Sequence, residues 1–151
     1  MDITDLQRKA ESGSVVAQSV LGICYLYGRD VKTDYERAFQ LLSAATEKGA
    51  SRAVVNLARM YAEGLGIPRD ISKAVRLYEA VAKVERRAQL ELARIYARGE
   101  GVTCDPQRAL KWYSEVASRE DGVDDQGTGV FAGAVTFDEI EEAKAYLAGR
   151  R

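Results

Sequence analysis

Histidine is absent from all 151 residues, and that absence removes whole classes of chemistry. Without an imidazole the chain has no Ser-His-Asp or Cys-His catalytic arrangement, no histidine-ligated zinc and no histidine pH switch. Cysteine is nearly as scarce. Cys24 and Cys104 are too few for a disulfide framework, and they lie too far apart in sequence to suggest a structural zinc site. Only two prolines occur, Pro68 and Pro106, so little interrupts helix formation. No apolar run approaches the roughly 20 residues needed to span a bilayer. The opening MDITDLQRKAESG carries acids early and holds no apolar stretch, which leads us to expect neither a secretory signal nor a membrane anchor. Together these features predict a soluble, cytoplasmic chain.

Charge of either sign is also missing in net terms. Lys and Arg total 22 against 23 Asp and Glu, a formal net charge of −1. Bulk electrostatics therefore predicts neither nucleic-acid binding nor an acidic tail, and only a local asymmetry can carry information about a partner.

What the chain does have is a repeat. Ala17, Leu21, Gly22 and Tyr25 are matched by Ala53, Leu57, Ala58 and Tyr61, then by Ala88, Leu92, Ala93 and Tyr96, at offsets of 36 and 35 residues. Gly28, Gly64 and Gly99 stay in phase, as do Val31, Ile67 and Val102, and then Asp34, Asp70 and Asp105. Ala, Leu and Tyr four residues apart lie along one side of a first helix, helix A. The small residue after the Leu lets a neighbouring helix come close, and the Gly ends the helix in a left-handed conformation. The Asp then caps a second helix, helix B, with Pro106 fitting its first position. Helix B carries its own apolar stripe: Ala38, Leu41, Leu42 and Ala45, then Ala74, Leu77, Tyr78 and Val81, then Ala109, Trp112, Tyr113 and Val116. One helix pair cannot bury both stripes, so the pairs must stack.

This pattern resembles the Sel1-like repeat family, relatives of the tetratricopeptide repeat. The correspondence runs over residues 17–118. It is fullest in the second copy, with Gly64-Leu65-Gly66-Ile67 and Lys73-Ala74, whereas Asp30 replaces the second Gly in the first copy. The resemblance implies an all-α fold, a right-handed α–α solenoid of three helix-loop-helix repeats with terminal capping helices. On that basis residues 1–151 read as a single repeat domain. A partial leading repeat (1–13) precedes repeats at 14–49, 50–84 and 85–118, and a long Gly- and Asp-rich loop (119–135) leads to a capping helix (136–148). Thr136-Phe-Asp-Glu139 is a capping-box signature for that last helix. Secreted relatives pair cysteines within each helix pair, a pattern missing here.

The same resemblance implies that helix A lines a concave face. Residues one turn from the buried stripe then face a groove: Arg52, Val55, Arg59, Ala62 and Glu63 in the second copy, and Arg87, Leu90, Arg94, Ala97 and Arg98 in the third. Arg52 and Arg59, like Arg87 and Arg94, are seven apart and share a helical face. The first copy offers Val16, Ser19, Ile23, Leu26 and Tyr27 instead. Arg52, Arg59, Glu63, Arg87, Arg94, Arg98, Tyr27 and Ile23 are thus candidate partner-binding residues for a protein or peptide with an acidic element. The bland alternative is a solvated helix face with arginine as polar filler.

The acids of Asp121-Gly-Val-Asp124-Asp125-Gln-Gly127 miss calcium-loop spacing. Cys24 reads as a small hydrophobe, Cys104 as an accessible thiol, and Trp112 and Tyr113 as core. No residues have catalytic spacing, so no catalytic, cofactor or metal site is expected. The leading expectation is a non-enzymatic interaction module, with no nucleic-acid or membrane partner. A bacterial immunity or inhibitor protein that neutralises a toxin is the sharper alternative, and an enzyme using loop acids with groove arginines is the rival.

Overall fold

The structure, a computed structural model, describes residues 2–118 and 135–149. The acidic segment at 121–127 and nearly all of the expected 119–135 loop lie outside these residues. Among the described residues the regular structure is entirely helical: α1 (Ile3–Glu11), α2 (Val15–Tyr27), α3 (Tyr35–Glu47), α4 (Ser51–Glu63), α5 (Ile71–Val81), α6 (Arg86–Arg98), α7 (Pro106–Ser118) and α8 (Phe137–Ala148). None is long and apolar enough to cross a membrane. The chain divides into two compact units, residues 1–77 and 78–151, with the boundary inside α5.

In the first unit α1 packs on α2, α2 on α3, and α3 on α4. The stripe of α2 is buried at Ala17, Leu21 and Tyr25, and that of α3 at Ala38, Leu42 and Ala45. Val31 and Ile67, in the loops after helices A, pack against this core. Burying a side chain such as Leu42 stabilises the fold by roughly 1.5–3 kcal/mol. Gly22 explains the close approach of α2 and α3, since a Cβ there would sit 2.8 Å from Leu42 Cγ. In α4 the stripe rotates slightly: Met60 is fully buried, while Tyr61 is half-buried and meets Phe39 edge-on with ring centroids 6.2 Å apart.

In the second unit α6 packs on α7 and α7 on α8. Its core holds Ala88, Leu92 and Tyr96 of α6, Ala109, Tyr113 and Val116 of α7, and Ile140 and Ala143 of α8. Trp112 is half-buried, with the Lys111 ammonium 5.0 Å from its ring. Four residues expected on the open face of helix A are not there: Ser19, Leu26, Val55 and Leu90 are buried. Helix A has apolar residues on more than one side because more than one neighbour packs on it, and a single-stripe reading misses this.

The hairpins share one lock. The amide of the helix-B cap donates to the carbonyl of the helix-A tyrosine: Asp34 to Tyr25 at 3.0 Å, Asp70 to Tyr61 at 2.8 Å and Asp105 to Tyr96 at 3.0 Å. The same aspartates accept, through their side chains, the amides of Arg37, Lys73 and Arg108. Helices α2, α4 and α6 end at Gly28, Gly64 and Gly99, each with φ between 66° and 69°. Asp30, standing where later copies have Gly66 and Gly101, takes a left-handed φ of 57°, a conformation Asp tolerates better than most residues. The capping box at Thr136 and Glu139 is formed.

Candidate functional site

In the first unit the candidate residues gather around Tyr27. Arg59 reaches from α4 and donates to the Tyr27 hydroxyl at 2.9 Å. It also donates to Glu63 Oε1, one turn along its own helix, at 2.7 Å. Tyr27 in turn donates to Asn56 Oδ1 at 3.0 Å, and Asn56 is buried. The guanidinium groups of Arg29 and Arg59 each lie 5.2 Å from the Tyr27 ring centroid, within cation–π range. Burial works against the Arg59 charge, but Tyr27 and Glu63 outweigh it and hold the guanidinium more firmly protonated than usual. The Arg59 side chain keeps 43% of its surface exposed, and Arg52 is exposed. Ile23 is half-buried against the core. Val16, which the repeat aligns with Arg52, is 73% exposed. The cluster thus joins Tyr27, Arg59 and Glu63 directly, Asn56 ties it to the Arg52 carbonyl at 2.8 Å, and Ile23 lies against the core beside it.

In the second unit the candidate arginines are engaged by α8. Arg87 Nη1 donates to Glu139 Oε1 at 2.5 Å. Arg94 grips Glu142 with both branches of its fork, Nε to Oε1 at 3.0 Å and Nη2 to Oε2 at 2.6 Å. It also reaches Glu139 at 3.4 Å and Glu91 at 3.2 Å. Tyr113 donates to Glu142 Oε1 at 3.1 Å. Bidentate, charge-assisted bonds of this kind are among the stronger side-chain contacts. Their electrostatic consequences agree. The Arg94 bond, helped by the neighbouring charge, draws the Glu142 carboxyl below its ordinary value against the pull of burial. Burial pushes Glu139 upward, but Arg87, the Thr136 amide and Arg94 prevail and lower it. Burial and then the Glu142 charge push the Tyr113 hydroxyl up to about 12. Arg98 is exposed.

Sequence reasoning found the arginines and missed their acids. It gave Glu139 only its capping role, and it passed over Glu142. The available signal was the i, i+3 spacing of Glu139 and Glu142, which sets both carboxylates on one face of α8. It also missed the partners of helix-B cations. Arg37 Nη1 donates to Tyr25 Oη at 3.0 Å and Arg108 Nη1 to Tyr96 Oη at 2.8 Å, while the Lys73 ammonium lies 4.4 Å from the Tyr61 ring centroid. These cations brace helix B on helix A. Of the cysteines, Cys24 is buried and Cys104 exposed, both unbridged.

Successive helix pairs with one repeated Tyr–Asp lock define a helical-repeat protein. The family model for the Sel1 repeat matches residues 15–49, 51–83 and 86–121, more than half the chain, and the chain belongs to that family. Two solved structures share the fold. The Sel1 repeat protein from Oxalobacter formigenes is 33% identical, with a TM-score of 0.68 and 98% of each chain covered. A protective antigen of uropathogenic Escherichia coli strains displaying an SLR fold, c5321, is 31% identical with a TM-score of 0.72, over 99% of this chain and 33% of that one. Protein sel-1 homolog 2 of Mus musculus is 43% identical over 77 residues, covering 50% of this chain and 11% of its own length. The ERAD-associated E3 ubiquitin-protein ligase component HRD3A of Arabidopsis thaliana is 33% identical over 72 residues, 48% of this chain and 11% of its own. The chain therefore spans about a tenth of the length of these curated relatives. Sel1 repeat proteins are protein-interaction modules.

Proposed function

We propose that the chain is a non-enzymatic adaptor that binds a protein partner with an acidic element through its helix-A arginines. The observation that carries this reading is the cluster of Tyr27, Arg59 and Glu63, in which a firmly protonated arginine side chain stays 43% exposed beside an aromatic ring. Arg52, exposed on the same helix, adds to this basic character. Ile23 and the exposed Val16 supply an apolar neighbour on α2 for a hydrophobic anchor. A carboxylate that meets Arg59 replaces water with a charge-assisted bond, and such contacts weaken with salt. The proposal places the protein in the cytoplasm, a reading supported by two unbridged cysteines.

Affinity capture with the full chain at low and high salt tests this reading. A single salt-sensitive protein partner, weakened by Arg52→Glu and by Arg59→Glu in variants of unchanged helicity, is the expected result. Capture that survives both substitutions overturns the arginine-face model. Arg94→Glu is a poorer probe, because it also removes the anchor of α8.

A further inference from the structure

The second unit shows how a helix-A arginine pair receives an acidic ligand, because α8 supplies one. Arg87 and Arg94 stand two helical turns apart on α6, and Glu139 and Glu142 stand three residues apart on α8. The Arg87, Arg94 and Glu139 side chains are about four-fifths covered, with 23%, 22% and 18% of their surface exposed. The apolar share of the contact is smaller. Only Ile140 and Ala143 of the helix are buried, Tyr146 lies against Tyr113 with ring centroids 4.4 Å apart, and Phe137 is 62% exposed. A twelve-residue helix with two buried side chains and a charge-complementary face depends on its ion pairs to a degree the core helices do not.

We infer that α8 occupies, within its own chain, a surface of α6 and α7 that accepts an acidic helix from a protein partner. This inference rests on the adaptor reading above and specifies the ligand. The partner's helix carries two glutamates spaced by three residues for Arg87 and Arg94, with a small apolar residue beside them in the place of Ala143. The Tyr113 hydroxyl, donating to Glu142, supplies a further hydrogen bond for the second glutamate. Such a partner competes with α8, whose attachment in the same chain gives it a high effective concentration.

The test uses the full chain and a labelled peptide of residues 135–149, followed by fluorescence anisotropy. Wild type is expected to bind the peptide weakly because its own α8 holds the arginines. The variant Glu142→Gln leaves the capping box intact, and E139Q/E142Q neutralises both acids. Each is expected to bind the peptide more tightly, the double variant by about tenfold or more, with the gain abolished by adding Arg94→Glu and reduced by salt. Circular dichroism of each variant confirms retained helicity. If folded Glu142→Gln and E139Q/E142Q chains bind the peptide no better than wild type, α8 is a fixed part of the fold and the inference is overturned. That failure is separable from failure of the adaptor reading, which is judged by Arg52- and Arg59-dependent capture, on residues of the first unit.

Discussion

Arg59 and Arg94 occupy the same repeat position, 35 residues apart, and are used differently. Arg59 bonds to a tyrosine hydroxyl and a glutamate of its own helix and stays 43% exposed. Arg94 is 22% exposed, and besides Glu91 of its own helix it holds two glutamates of another. A repeat position fixes where a side chain starts; what stands opposite fixes its job. The first arginine keeps much of its surface open, whereas the second has already met α8.

Substitutions sharpen this contrast, beginning with a pair expected to erase it. Leu57→Ala and Leu92→Ala strike one repeat position in the core of each unit, and each is expected to cost about 2–5 kcal/mol in denaturant unfolding. Similar losses at the two sites would show that the repeat core is equivalent where the arginines are not. Arg94→Ala, which takes the bidentate partner from Glu142 and one of several partners from Glu139, is expected to cost about 1–3 kcal/mol. Arg59→Ala should cost less than about 1 kcal/mol because its partners remain in contact with water. A reversal of that order would break the comparison.

Acid supplies a third probe. Glu139 and Glu142 titrate below their ordinary value of 4.5 in the folded chain. Their contribution is therefore fully present above that value and is lost as pH falls through the lowered folded values. Thermal unfolding between pH 6 and pH 3 should show this loss, and E139Q/E142Q should remove its α8-linked part. Arg37→Ala and Arg108→Ala, exposed braces on tyrosine hydroxyls, should change stability least. Equal small effects at the two sites would mark the brace as a property of the repeat.

The repeat was legible because its rules are local. Gly28, Gly64 and Gly99 end helices within a residue of their own position, and Asp34, Asp70 and Asp105 cap the next helix by accepting an amide three residues on. The fates of Arg87 and Arg94 were not legible, because their partners lie 45 to 52 residues further on. Sequence shows that the charges are opposite, whereas only the path of the chain shows that they meet. Val55 and Leu90 were misplaced for a related reason: a stripe is read against one neighbour, and a stacked helix has several.

Glu139 carries one last consequence. One carboxylate oxygen accepts the Thr136 amide that starts α8, and the other accepts Arg87. A twelve-residue helix is marginal by itself in water, so a single side chain joins the act of folding α8 to the act of attaching it. Order and attachment in this segment are thermodynamically linked: whatever loosens the carboxylate from Arg87 also weakens the first turn, and a detached α8 reverts toward coil. The peptide of residues 135–149 should accordingly gain helical ellipticity as it binds, as in coupled folding and binding.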